Sequence, residues 1–139
     1  MCIRDRGHAY LGKWVNLGAM TTNSDLKNNY RPIRVWTPSG MTDTGHAKVG
    51  CFLGDHVKTG IGMLLNTGTV VGAGANLYGS VMPPSYVEPF SWGQGDNLTE
   101  YRLAEFIETA RVAMGRRGVD LDERGQQFLE ACWRKGRGG

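Results

Sequence analysis

Three histidines, His8, His46 and His56, are the side chains here best suited to moving a proton near neutral pH. No two of them stand at metal-ligand spacing on one expected helix or strand, so no metal site is expected. His56 follows Asp55, which reads as a chain corner or as an acid–base pair. His46 sits in Gly45-His46-Ala47-Lys48 and faces either solvent or a neighbouring copy. Cys2, Cys51 and Cys132 are too few and too scattered for a disulfide framework or a zinc knuckle. They read as inert thiols of a reducing compartment, the cytoplasm.

The composition narrows the classes. Glycine makes up 21 of 139 residues, about twice the usual share of roughly 7%. It does not recur every third residue, which excludes collagen. A formal charge of +3, from 16 basic and 13 acidic residues, gives no strong attraction to nucleic acid or anionic membrane. The apolar runs are far shorter than the ~20 residues that cross a bilayer. Met1 to Arg6 contain no apolar signal core and read as a non-native or truncated start.

The glycines keep a period of six. From Leu53 the chain divides into LGDHVK, TGIGML, LNTGTV, VGAGAN and LYGSVM. The first positions are Leu53, Thr59, Leu65, Val71 and Leu77; the fifth are Val57, Met63, Thr69, Ala75 and Val81. LGKWVN and LGAMTT, from Leu11 and Leu17, keep the same phase. Strand alternation and helical amphipathicity both fail at this period. It fits a mainly β fold, a parallel β-helix whose first-position side chains stack inward. The second-position glycines are expected to turn its corners with positive φ.

The expected organisation is a β-helix over 7–82, broken by an excursion over 23–48 that carries Pro32 and Pro38. An irregular linker over 83–97 and C-terminal helices over 98–135 follow. Asn97 with Glu100 reads as a capping box for the first helix, and Asp122 to Trp133 as the second. The helices are expected to cap the open end of the β-helix or to pack on a neighbouring subunit. A long excursion from a regular scaffold is a natural carrier of function.

The run from Tyr10 to Lys27, YLGKWVNLGAMTTNSDLK, resembles the acetyltransferase domain of bifunctional sugar-1-phosphate nucleotidyltransferases, whose best-known members make UDP-N-acetylglucosamine. KVGCFLGDHVKTGIGMLLNTGTVVGAGANLYG resembles the coils that follow. The resemblance implies a left-handed β-helix, a homotrimer, and acetyl-CoA and a sugar phosphate as substrates. It also implies a preceding nucleotidyltransferase domain, the place for magnesium, so this chain is expected to be the C-terminal fragment of a longer protein. The family's catalytic histidine falls at Cys2 and its tyrosine at Asp5, leaving the base unassigned and His8 a weak candidate. Asn16 matches an asparagine that contacts the sugar. Asp25 stands where many relatives have asparagine near the acetyl group. Lys27, Arg31 and Arg34 stand where relatives use basic side chains and could grip the phosphate. Thr59, Asn66 and Ala73 mark the expected CoA contacts. A non-catalytic β-helix that trimerises or regulates an attached nucleotidyltransferase is the alternative.

Overall fold

The computed structural model describes residues 6–138, so the expectations for Cys2 and Asp5 lie outside the described residues. Its strands are short. β1 (Tyr10–Leu11), β2 (Asn16–Leu17) and β3 (Thr22–Asn23) come first. β4 (Arg34–Thr37) and β5 (Gly40–Asp43) follow within the excursion. Then come β6 (Phe52–Leu53), β7 (Lys58–Thr59), β8 (Leu64–Leu65), β9 (Val70–Val71) and β10 (Asn76–Leu77). β11 (Tyr86–Val87), β12 (Ser91–Gln94) and β13 (Asn97–Glu100) complete the set.

Successive strands join three sheets in rotation. The first sheet runs β1-β6-β9-β11, the second β2-β7-β10-β12-β13 and the third β3-β8. Apart from the β12–β13 hairpin, the pairing within them is parallel. Phe52 lies beside Val70 and Lys58 beside Asn76, each eighteen residues on, three hexads per course. This mainly parallel arrangement is compatible with a β-helix. First-position Leu53, Leu65, Val71 and Leu77 and fifth-position Val57, Met63 and Ala75 form the dry interior, each at most 3% exposed. The fifth-position Val81 is 55% exposed because the course breaks there.

Second-position glycines serve a different purpose from the one expected. Gly12, Gly18, Gly54, Gly60 and Gly72 have no positive φ. Most lie flat against the next course: a Cβ on Gly54 would come within 2.7 Å of the Ala73 nitrogen. The left-handed φ falls on fourth positions instead, at His8, Trp14, Met20, His56, Gly62, Gly68, Gly74 and Phe90. Close packing selects glycine at one position and the turn bends the other.

After Leu77 the prolines Pro83 and Pro84 occupy the third side, where proline has no amide to donate to a ladder. The course then shortens by two residues. Segment 83–97 is not irregular throughout: β11 adds to β9 and β12 to β10 in parallel register. Asn97 is not a helix cap, because it starts β13, which pairs antiparallel with β12.

Two helices follow, α1 (Leu103–Gly115) and α2 (Glu123–Gly138). Gly118, at φ +70, ends the turn after α1, and Val119 N–H donates to the Met114 carbonyl. Asp122 caps α2, its Oδ1 accepting from Gly125 N at 2.7 Å. Phe90, Tyr101, Phe106, Ile107, Ala110 and Leu121 form a second core between the helices and the sheets. The helices thus pack on a corner of their own chain. Trp133 Nε1 ties α2 to the Tyr101 carbonyl at 2.8 Å, and Arg137 donates to that of Phe90. Neither helix is long and apolar enough to cross a membrane.

Candidate functional site

The excursion leaves the third sheet after β3, beside the corner that holds His8. Its neck is closed by backbone bonds from Val49 N to the Asp25 carbonyl (2.9 Å) and from Gly50 N to the His8 carbonyl (3.1 Å). A bridge between Leu26 and Lys48 adds to them. Exit and return therefore run together beside one corner. There His8 Nδ1 lies 2.6 Å from Asp25 Oδ2.

Two neighbours fix this pair. A Cβ on Gly7 would come within 2.7 Å of Asp25 Oδ2, so glycine leaves the space the carboxylate fills. Buried Asn23 donates from Nδ2 to the Gly7 carbonyl at 2.9 Å and holds that backbone still. The His8 side chain is 51% exposed and that of Asp25 23%. A carboxylate only accepts hydrogen bonds, so in this contact Nδ1 is the donor. The contact orients the imidazole.

The excursion itself is an ordered arm. β4 and β5 form an antiparallel hairpin. Ile33 is fully buried, and Trp36 stacks on Tyr86 with ring centroids 3.6 Å apart. Lys27 Nζ donates to the Pro32 carbonyl at 3.2 Å and Arg34 Nη2 to that of Met41 at 2.9 Å. Both brace the arm, and Arg31 is exposed on it. His46 is exposed in the returning segment, and its carbonyl accepts from Ile33 N.

The other expected contacts are dispersed. Asn16 projects from β2 beside Lys58, on the second sheet. Asn66 is exposed at a corner and accepts from Thr67 N. Ala73 lines a groove of about 380 Å³ with Trp14, His56 and Phe106. Thr59 departs from the expectation: it is 5% exposed, and its hydroxyl bonds Thr21 Oγ1 at 2.8 Å inside the stack. It is a core hydroxyl, not an outward contact. Cys51 is buried, and burial pushes its thiol up to about 11, which makes it unreactive. Among the described residues no group of three His, Cys, Asp or Glu is placed to hold a metal.

His56 belongs to a column that the period-six reading missed. Trp14, His56, Gly74 and Phe90 are the fourth positions of one corner. Trp14 stacks on His56, and Phe106 of α1 lies edge-on to both His56 and Phe90. Aligning the fourth positions would have revealed it.

Burial, aided by the Lys58 charge and opposed by Asp55, pushes the His56 pKa down to about 4. The native state thus refuses a proton that the unfolded chain takes near pH 6.5. Stability is full above that pH and falls toward pH 4, by about 3 kcal/mol for this group. Melting between pH 7 and 4.5 is expected to show a steeper loss for the natural protein than for His56→Asn. Equal slopes would exclude His56 as the cause.

No family model matches the chain. Over 72 residues, 52% of this chain, it is 32% identical to a bifunctional sugar-1-phosphate nucleotidylyltransferase/acetyltransferase of Sulfurisphaera tokodaii. Two proteins of Escherichia coli, strains K12 and 536, bear the name acetyltransferase YaiX and are uncharacterized. Each is 30% identical over 61 residues, 44% of this chain. The matches span 18% of the archaeal protein's length and 26% of each bacterial one. These partial similarities support an acetyltransferase-type domain.

Proposed function

We propose that this chain is the acetyl-transfer part of a sugar-nucleotide enzyme, a left-handed hexapeptide β-helix in which His8 and Asp25 form the acid–base pair. The observation that carries the reading is the 2.6 Å contact between His8 Nδ1 and Asp25 Oδ2 at the neck of the excursion. Similarity to a protein named as both nucleotidylyltransferase and acetyltransferase supports the class of reaction. The three sheets and eighteen-residue courses support the β-helix.

In this reading His8 Nε2 takes a proton from the amino or hydroxyl group of a sugar phosphate as that atom attacks the thioester carbonyl of acetyl-CoA. The carbon–sulfur bond breaks, and the histidine returns the proton to the departing thiolate. Asp25 holds the imidazole in the required tautomer and steadies its charged form. Lys27, Arg31 and Arg34, on the excursion that begins at Asp25, supply the positive charge for the phosphate.

Asn16 as a sugar contact, and Asn66 and Ala73 as CoA contacts, sit at other positions around the same chain. The reading therefore needs them from neighbouring copies, in a homotrimer. Light scattering is expected to give three times the 15.3 kDa of one chain; a clean monomer would break this part of the proposal. Calorimetric titration with acetyl-CoA is the test of the whole. Saturable heat is expected, and none at millimolar ligand would leave a non-catalytic β-helix as the function.

A further inference from the structure

A second groove, of about 740 Å³, runs between the outer face of the second sheet and α1. Its floor carries Asn16 and Lys58, neighbours in register on β2 and β7. Its wall carries Thr109, Arg116 and Arg117. Lys58 Nζ donates to the carbonyls of Trp14 at 2.8 Å and His56 at 3.0 Å, which pins the ammonium and leaves one N–H uncommitted. Glu108 also lines the groove but pairs with Arg111, at 3.8 Å. Among the described residues neither Arg116 nor Arg117 has a carboxylate partner. Three cations thus share one concave site with a single acid.

We infer that this groove binds a phosphate-bearing small molecule, gripped by the two guanidinium groups and by the pinned ammonium at its floor. Arg forks suit the phosphate oxygens, and the Asn16 amide supplies a further polar contact. The inference stands on the groove alone and does not require His8 to be a base. The ligand has two possible sources, the phosphate of a sugar or those of an adenine nucleotide, and both offer the same chemistry. Burial holds the Lys58 pKa down to about 8. Arg116 and Arg117 face it across the groove with Glu108, and His56 beside it is neutral at that pH. A bound anion opposes this depression, so binding at pH 8 draws in a proton.

Calorimetry on the whole chain tests this with three probes: pyrophosphate, glucose-1-phosphate and ADP. At least one is expected to bind, more weakly as salt rises, with a heat at pH 8 that depends on the buffer's ionisation enthalpy. The tighter of glucose-1-phosphate and ADP identifies the source. The Arg116→Ala/Arg117→Ala pair, at exposed positions near the end of α1, is expected to weaken binding by about tenfold or more. Lys58→Met is expected to reduce the buffer dependence seen with glucose-1-phosphate or ADP. His8→Gln is expected to bind as the natural protein does. The inference is overturned if no probe binds at millimolar concentration or if the double variant binds unchanged. It is equally overturned if His8→Gln removes the binding, since the ligand then sits at the neck of the excursion.

Discussion

Replacing His8 by glutamine is expected to slow acetyl transfer to a sugar phosphate by about 10²–10⁴-fold, the usual worth of a positioned general base. The melting temperature should hardly move. The imidazole is half exposed and occupies a left-handed corner, φ 49, so it contributes little to the core. What it does hold is the hydrogen bond to Asp25, and glutamine cannot take up and return a proton. Asp25→Asn is expected to give a smaller loss, because the amide can still touch Nδ1 but no longer stabilises the charged ring. Equal rates for His8→Gln and the natural protein would remove His8 from the chemistry.

The largest effect on stability is expected at Phe106. Phe106→Ala should lower the unfolding free energy by about 3–5 kcal/mol, the range for large aromatic truncations in a core. The ring is 3% exposed and meets His56, Phe90 and Tyr101 in edge contacts at 5.0–5.9 Å. It fits because Gly74 leaves a gap in the column: a Cβ there would lie 3.2 Å from Phe106 and collide with Phe90. Gly74 also has φ +71, which most side chains resist. One missing side chain in the β-sheet column thus makes room for the helix that docks on it. Denaturant unfolding would measure the loss. A change below 1 kcal/mol would mean that α1 is held by other contacts.

Much of this architecture was legible in the spacing of the residues. Leu53, Leu65, Val71 and Leu77 stand six or a multiple of six apart, and a period of six has few structural solutions besides stacked short strands. The second helix was legible too: it was expected from Asp122, and α2 begins at Glu123 with Asp122 as its cap. What escaped was whatever depends on contact between courses. Gly54 and Gly72 looked like corner residues, but the neighbouring backbone selects them and the turn falls two positions later. Asn97 has the local chemistry of a helix cap, and the edge of β12 captures it first. Pro83 and Pro84 looked like the end of the repeat, whereas they replace one side of a course that resumes at Val87.

The candidate site divides the same way. His8 and Asp25 each drew attention separately. They stand seventeen positions apart in the chain, and no local pattern announces their 2.6 Å contact. Lys58 drew none, because its setting comes from the carbonyls of Trp14 and His56 and from a helix more than forty residues on.

The central claim is that the pair at the neck of the excursion moves the proton of an acetyl transfer. The direct measurement follows acetyl-CoA and glucosamine-1-phosphate by mass spectrometry, with the natural chain and His8→Gln side by side. The account expects an acetylated sugar phosphate and an equal amount of free CoA from the first, and almost none from the second. Acetylated product formed equally by both proteins, or by neither when both are folded and bind acetyl-CoA, would contradict it.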